Sequence, residues 1–416
     1  MLKKITTEKK YYIKTFGCYA NEVDSDVAAG ILEKLGFKEL KLPKLKNEVE
    51  EIWSVLKTAD VLVVNSCSVR QKSEDKVYGL GKIISDFKKE HRKKAKVFLT
   101  GCIVGSALGE RKRFPFEELK KKTKNYDGYY APGDSKTFLK LLKEFKLVTP
   151  QKKIELNKVE RRQKDKIHSF VNVSFGCDNF CSYCVVPYAR KEEVSRSEKD
   201  IMREIKCLVK NGTTEVTLCG QNVNSWGLSK SEKMKIRAGS KKKLPFADLL
   251  RKVHEIQGLE RIDFISSNPF DFTQDLVDAL KLPIISNYIH IAVQSGNNAV
   301  LKSMNRRHTA EEFLDLVKRI RKAKPDVEIG TDLIVGFPGE TRKQFMDTVS
   351  LVKKAGFAVA FIAMYSPRKG TFAELKLKDD VPAKEKKWRH MYLTKVWKNT
   401  KAGSVVTAGS RIGRLG

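Results

Sequence analysis

The sequence contains no apolar run long enough to cross a bilayer, which argues against a helical membrane span. Its first residues, Met1-Leu2-Lys3-Lys4-Ile5, lack the apolar core of a secretory signal, so a cytoplasmic chain is expected. Acidic residues are scarce: 50 Asp and Glu face 82 Lys and Arg, leaving a net charge of +32. Such a surplus favours a polyanionic partner, most simply nucleic acid, although a general lysine bias produces the same number. There are eight cysteines, and in a cytosolic chain clustered cysteines point to metal or redox chemistry before disulfides.

Three of those cysteines share one short stretch, Gly176-Cys177-Asp178-Asn179-Phe180-Cys181-Ser182-Tyr183-Cys184, at the spacing C-x-x-x-C-x-x-C. A loop this tight can aim Cys177, Cys181 and Cys184 at one point. Thiolates are the usual protein ligands of iron–sulfur clusters, and three of them leave one iron of a four-iron cluster open for a substrate or cofactor. The alternatives are a zinc loop or three unrelated buried thiols. No His lies nearby to complete a zinc site.

At 416 residues the chain is expected to hold two or three domains. In residues 1–150, strands are expected at Tyr11–Phe16, Val61–Ser66 and Lys96–Thr100. Helices are expected from Asn21 as N-cap to Leu35, around Trp53, over 73–91 and over 138–145. Strand alternating with helix implies a doubly wound parallel sheet, whose ligands bind beyond the carboxyl ends of the strands. Cys18, Cys67 and Cys102 each follow one of those strands, so they form a second candidate trio for a cluster.

Residues 151–166 are charged and read as a linker. From 167 to 380, six strand–helix units follow, each strand running into polar or Gly-rich residues. This looks like a partial (β/α)6 barrel, with its site on the rim at the strand carboxyl ends. The cysteine loop, Gln221, Asn222, Gln294, Ser295 and Asp332 fall on that rim. Residues 229–243 break the rhythm and read as a mobile basic loop able to grip phosphates by charge, or as a plain solvated insertion. Cys207 and Cys219 are expected to be packed thiols. Residues 381–416 form a C-terminal helix and tail.

With both trios in hand the chain resembles the radical S-adenosylmethionine (SAM) methylthiotransferases, over about residues 10–395. The resemblance rests on Thr15-Phe16-Gly17-Cys18 with Asn21 to Ser25, on Asn65 to Arg70 with Lys76 to Gly79, and on Gly176 to Arg190 with Ser195-Arg196. It continues through Leu218 to Ser225, Gln294-Ser295-Gly296, Met304-Asn305-Arg306, Asp332 to Glu340, and Tyr365 to Arg368. The match is to the tRNA branch that acts on isopentenyl-adenosine beside the anticodon. It implies two [4Fe-4S] clusters: one on Cys177, Cys181 and Cys184 that cleaves SAM, and an auxiliary one on Cys18, Cys67 and Cys102 that carries the inserted sulfur. It also implies SAM contacts from Tyr183, Ser195, Arg196, Gln294 and Asp332, and a tRNA partner. An electron donor and a sulfur donor are needed as well, and a monomer is expected. Replacing an unactivated aromatic C–H calls for cofactor radical chemistry, which agrees.

Three positions depart from the family pattern: Lys191 stands where Gly is usual, Asn268 where His is usual and Ala292 where Pro is usual. Too few residues follow the C-terminal helix to build the family's all-β RNA-binding TRAM domain, so none is expected here. Rival functions are a threonylcarbamoyl-adenosine tRNA methylthiotransferase, a relative acting on a ribosomal-protein aspartate, and a non-catalytic RNA-binding descendant.

Overall fold

The computed structural model describes residues 8–400, apart from 70, 153, 157, 158, 160, 163, 164 and 241. The chain divides into two units, Met1–Lys164 with Tyr188–Lys191, and Asp165–Pro187 with Glu192–Gly416.

The first unit is built on a five-stranded sheet of β1 (Lys10–Phe16), β2 (Lys38–Glu39), β3 (Val61–Ser66), β4 (Lys96–Thr100) and β5 (Gly128–Tyr129), in the order β2-β1-β3-β4-β5. Every pairing is parallel. Side chains alternate across each strand. Leu62, Val64, Val97 and Leu99 therefore enter one apolar core, while Val61, Val63 and Phe98 enter another on the opposite face. Helices cover both faces, which makes the sheet doubly wound as the sequence pattern implies. The short β2 and β5 and the helix Phe116–Lys122 carry no strong periodicity and escape a sequence reading.

One expectation is corrected. Asn21 is not a helix cap: the helix runs Tyr19–Lys34 with Cys18 at its N-cap. Asn21 is buried inside it, exchanging hydrogen bonds with Asn65 on β3.

In the second unit, β6 (His168–Asn172) is followed by a small antiparallel pair, β7 (Ser174–Phe175) and β8 (Val194–Ser195). Five further strands complete the barrel wall: β9 (Glu215–Cys219), β10 (Arg261–Phe264), β11 (Tyr288–His290), β12 (Glu328–Val335) and β13 (Val359–Met364). They form two parallel sheets, β6-β9-β10 and β11-β12-β13. Isolated bridges Ile262↔Ile285 and Ser267↔Ile291 join the regions of β10 and β11. This is an open barrel of six parallel strands, with an apolar core between strands and outer helices.

The helix Ala383–Thr400 packs on that barrel: Trp388 meets Phe345, and the Trp397 indole donates to the Phe357 carbonyl at 2.9 Å. The tail 401–416, including Gly403 to Thr407, lies outside the described residues.

Residues 229–243 are not the expected mobile loop. Ser229 and Glu232 form a capping box, and a helix runs Lys230–Arg237. Its Lys233 turns inward to a 2.7 Å ion pair with the buried Glu193. Cys207 is a third correction, an exposed thiol on the helix Glu198–Lys210, because its position lies off that helix's apolar stripe of Ile201, Ile205 and Leu208. Cys219 is buried as expected. Among the described residues no helix is long and apolar enough to cross a membrane.

Candidate active sites

In the first unit, parallel register brings the three strand ends level. Phe16 pairs with Ser66, and Asn65 with Thr100. The Cys67 amide donates to the Phe16 carbonyl at 2.7 Å, placing it beside the turn that carries Cys18. Gly101 precedes Cys102 with φ +94, and a Cβ there would overlap the Ser66 backbone and Asn65, so only glycine permits the approach. The result is a chain of thiols: Cys67 hydrogen-bonds both Cys18 and Cys102.

That contact sets their acidities. The Cys67 hydrogen bond, opposed by burial and aided by the Arg190 charge, lowers Cys18 to about 7. The same causes lower Cys102 to about 6. Cys67 moves the other way, because its hydrogen bonds to the two neighbours and its burial favour the thiol. Arg190 is aimed by Asp24, whose carboxylate accepts from it at 2.8 Å, and it in turn hydrogen-bonds Cys102. Lys191 takes φ +64, a left-handed backbone that glycine would hold without strain.

In the second unit, the segment Met304-Asn305-Arg306 clamps the cysteine loop. The Ser182 amide donates to the Met304 carbonyl at 3.0 Å, and the Ser182 hydroxyl to the Ser303 carbonyl at 2.9 Å. The Asn305 amide donates to the carbonyls of Asn179 and Phe180 at 3.2 and 2.9 Å. The Arg306 guanidinium reaches Cys181 Sγ at 3.6 Å. Phe180 and Asn305 both hold positive φ, the strain that a tightly determined site can store. Cys177 is buried, and that burial raises its thiol.

The five expected cofactor contacts separate. Tyr183 sits between the loop cysteines and packs edge-on to Phe337 at 6.4 Å. Asp332 projects from β12, and Gln294, at φ +72, donates its backbone N–H to the Asp332 carbonyl at 2.9 Å. Arg196 is engaged by Glu204 and by the Asn172 carbonyl, at 2.6 and 2.7 Å. The Ser195 hydroxyl accepts from the Gly227 amide at 2.9 Å. Both thus hold the protein's own groups. Asn222 and Asn268 are buried and hydrogen-bonded to each other.

The Radical SAM superfamily profile matches residues 171–352, and that of Uncharacterized protein family UPF0004 matches residues 10–119. A tRNA-2-methylthio-N(6)-dimethylallyladenosine synthase from Thermotoga petrophila is 38% identical over 400 residues, covering 94% of this chain and 82% of the relative. One of the same name from Clostridium botulinum (strain Loch Maree) is 39% identical over 400 residues, covering 95% and 82%. The chain belongs to this synthase family of radical SAM proteins. The radical S-adenosylmethionine methyltransferase TsrM from Kitasatospora setae shares the fold alone, with a TM-score of 0.61 and 13% identity over 89% of this chain and 78% of that one.

Among the described residues, no three His, Cys, Asp or Glu side chains are grouped as a site for a single metal ion. A cluster asks for something different, since each thiolate binds its own iron corner. Both trios fit that demand chemically. Each has three thiols on short turns, a backbone N–H on a sulfur (Val69 to Cys67 at 3.2 Å, Val186 to Cys184 at 3.5 Å), and a buried arginine against one thiol.

A sequence reading assigns no role to Asp24, Arg190, Asn305 or Arg306. Their signal was present, because all four lie inside the family-like motifs.

Proposed function

We propose that this chain is a radical SAM tRNA methylthiotransferase that adds a methylthio group to carbon 2 of isopentenyl-adenosine beside the anticodon. One observation carries the reading beyond radical SAM chemistry in general. Cys18, Cys67 and Cys102 come together at the carboxyl edge of the first sheet, in a chain that also bears the C-x-x-x-C-x-x-C loop.

On this reading Cys18, Cys67 and Cys102 hold one four-iron cluster and Cys177, Cys181 and Cys184 the other. With SAM bound, these groups would pass on the donor's electron and supply the radical, the sulfur and the methyl group. The protein's part is to hold and orient. Asn305 and Met304 fix the cysteine loop, Arg190 and Arg306 each set a cation against a ligand sulfur, and Tyr183, Gln294 and Asp332 are the rim groups to face SAM, Asp332 with one oxygen held by His290. Arg196 and Ser195 act one step back, Arg196 tying the end of β6 to Glu204 and Ser195 holding the Gly227 amide. The surplus positive charge suits a tRNA substrate, and a cytoplasmic location belongs to this reading. An electron donor and a sulfur donor complete the reaction, and the chain works as a monomer.

The test is mass spectrometry of tRNA nucleosides from a host that lacks its own enzyme and expresses this chain. The 2-methylthio-isopentenyl nucleoside is expected. Methylthiolation of threonylcarbamoyl-adenosine instead would reassign the substrate, and no methylthiolated nucleoside would overturn the activity.

A further inference from the structure

Arg306 is only 9% exposed, yet among the described residues it pairs with no carboxylate. Its Nη1 reaches Asn268 Oδ1 at 3.0 Å and Cys181 Sγ at 3.6 Å. Its Nη2 donates to the Ala292 carbonyl at 2.6 Å. The Phe270 ring lies 5.3 Å from the guanidinium carbon, and Nε is buried without a partner. A full charge buried among an amide, a carbonyl and an aromatic face is costly unless an anion compensates it. Of the atoms it reaches, Cys181 Sγ is the one that belongs to the candidate cluster trio, whose iron-bound thiolates would supply that anion.

The guanidinium is also aimed with care. Asn268 donates its side-chain amide to Asn222, so its oxygen is the atom turned to Arg306. The Asn268 backbone N–H donates to Asn224 Oδ1 at 3.0 Å, and Asn224 donates back to the Asn268 carbonyl at 2.8 Å. Such outer contacts orient a metal ligand and tune what it holds. Hydrogen bonds to cluster sulfurs and nearby charge are among the settings of cluster reduction potential.

We propose that Arg306 is the electrostatic partner of the cluster on Cys177, Cys181 and Cys184. Aimed by Asn268 and the Ala292 carbonyl, it sets how readily that cluster accepts an electron. This rests on reading that trio as cluster ligands. A one-electron, low-potential reductant adds one negative charge to the cluster. Arg306 keeps its proton and stabilises the added charge, so it raises the reduction potential. Asn268 meets this guanidinium through its side chain and Ala292 through its backbone carbonyl, so of the two it is position 268 whose side chain bears on the setting.

The experiment is an EPR-monitored redox titration of the reconstituted full chain, following the cluster signal that changes when SAM is added. Arg306→Met should lower its midpoint, leaving the cluster about tenfold less reduced at a fixed potential, about 59 mV for one electron. Arg306→Lys should recover part of the shift. Asn268→Asp keeps the packing and sets a carboxylate on the guanidinium, so it should lower the midpoint even if Arg306→Met loads iron poorly. Unchanged midpoints in Arg306→Met and Asn268→Asp, with SAM affinity changed or not, would overturn the proposal. Absence of any SAM-responsive signal in the parent protein would instead overturn the ligand reading beneath it.

Discussion

His290 Nε2 stands 2.9 Å from Oδ2 of Asp332. The other ring nitrogen, Nδ1, lies 2.9 Å from the Tyr288 hydroxyl. The imidazole thus bridges the Tyr288 hydroxyl and the rim carboxylate, one ring nitrogen on each. It orients Asp332 from beneath, much as an outer group orients a ligand.

Gly330 makes room for this bridge, because a Cβ there would overlap Tyr288 Oη and crowd His290 Nδ1. Gly330→Ala should destabilise the protein by about 1–3 kcal/mol, the usual cost of overpacking. Urea denaturation checks this, and a midpoint equal to that of the parent would show that Tyr288 yields freely.

The helix Ala383–Thr400 is pinned to the barrel by a buried ion pair. Arg389 Nη1 lies 2.8 Å from Glu340 Oε2, with side-chain exposures of 4% and 0%. Removing one partner strands the other charge. Arg389→Met should therefore cost about 3–5 kcal/mol, more than an exposed ion pair would. The double variant Arg389→Met with Glu340→Gln should recover much of that loss, measured as a thermal or urea midpoint.

Burial, with the Arg306 charge beside it, lowers the His308 imidazole to about 3. A depressed folded value means that the neutral ring is favoured on folding. The stability it confers is complete above the ordinary histidine value near 6.5 and is lost as pH falls below it, by about 1.4 kcal/mol per unit. His308→Asn should flatten the fall in stability between pH 7 and 5.5 relative to the parent. Parallel pH profiles of the two proteins would contradict this.

Lys230, Lys235, Lys242 and Lys243 are exposed on and just after the helix Lys230–Arg237. Replacing all four by Gln should weaken tRNA binding and reduce the salt slope by about 1 for each phosphate left without its lysine. Lys233→Met acts differently. It leaves Glu193 buried without its cation and should destabilise the fold. A salt titration of tRNA binding separates the two effects, and an unchanged slope in the fourfold variant would make this helix a bystander.

The two halves of the fold were legible because both rest on local pattern. Val61 to Ser66 and Lys96 to Thr100 are short apolar runs ending at turns, and their alternation with amphipathic helices implies parallel sheets. The helix Lys230–Arg237 was not legible, since its lysines mask the one, Lys233, that turns inward to Glu193. Asn21 misled for a related reason: a residue typed as a cap is used here as a buried partner of Asn65, 44 positions away along the chain.

By itself the amino-acid order determined which chemistry is available: thiols in two trios, one set by spacing within a loop, the other by recurrence at strand ends. Only the tertiary structure decided which charges stand behind those thiols. Arg190 and Arg306 reach Cys102 and Cys181 from 88 and 125 positions away along the chain. No local periodicity encodes such a pairing, because it arises when separate strands and loops pack and a buried guanidinium must find an anion.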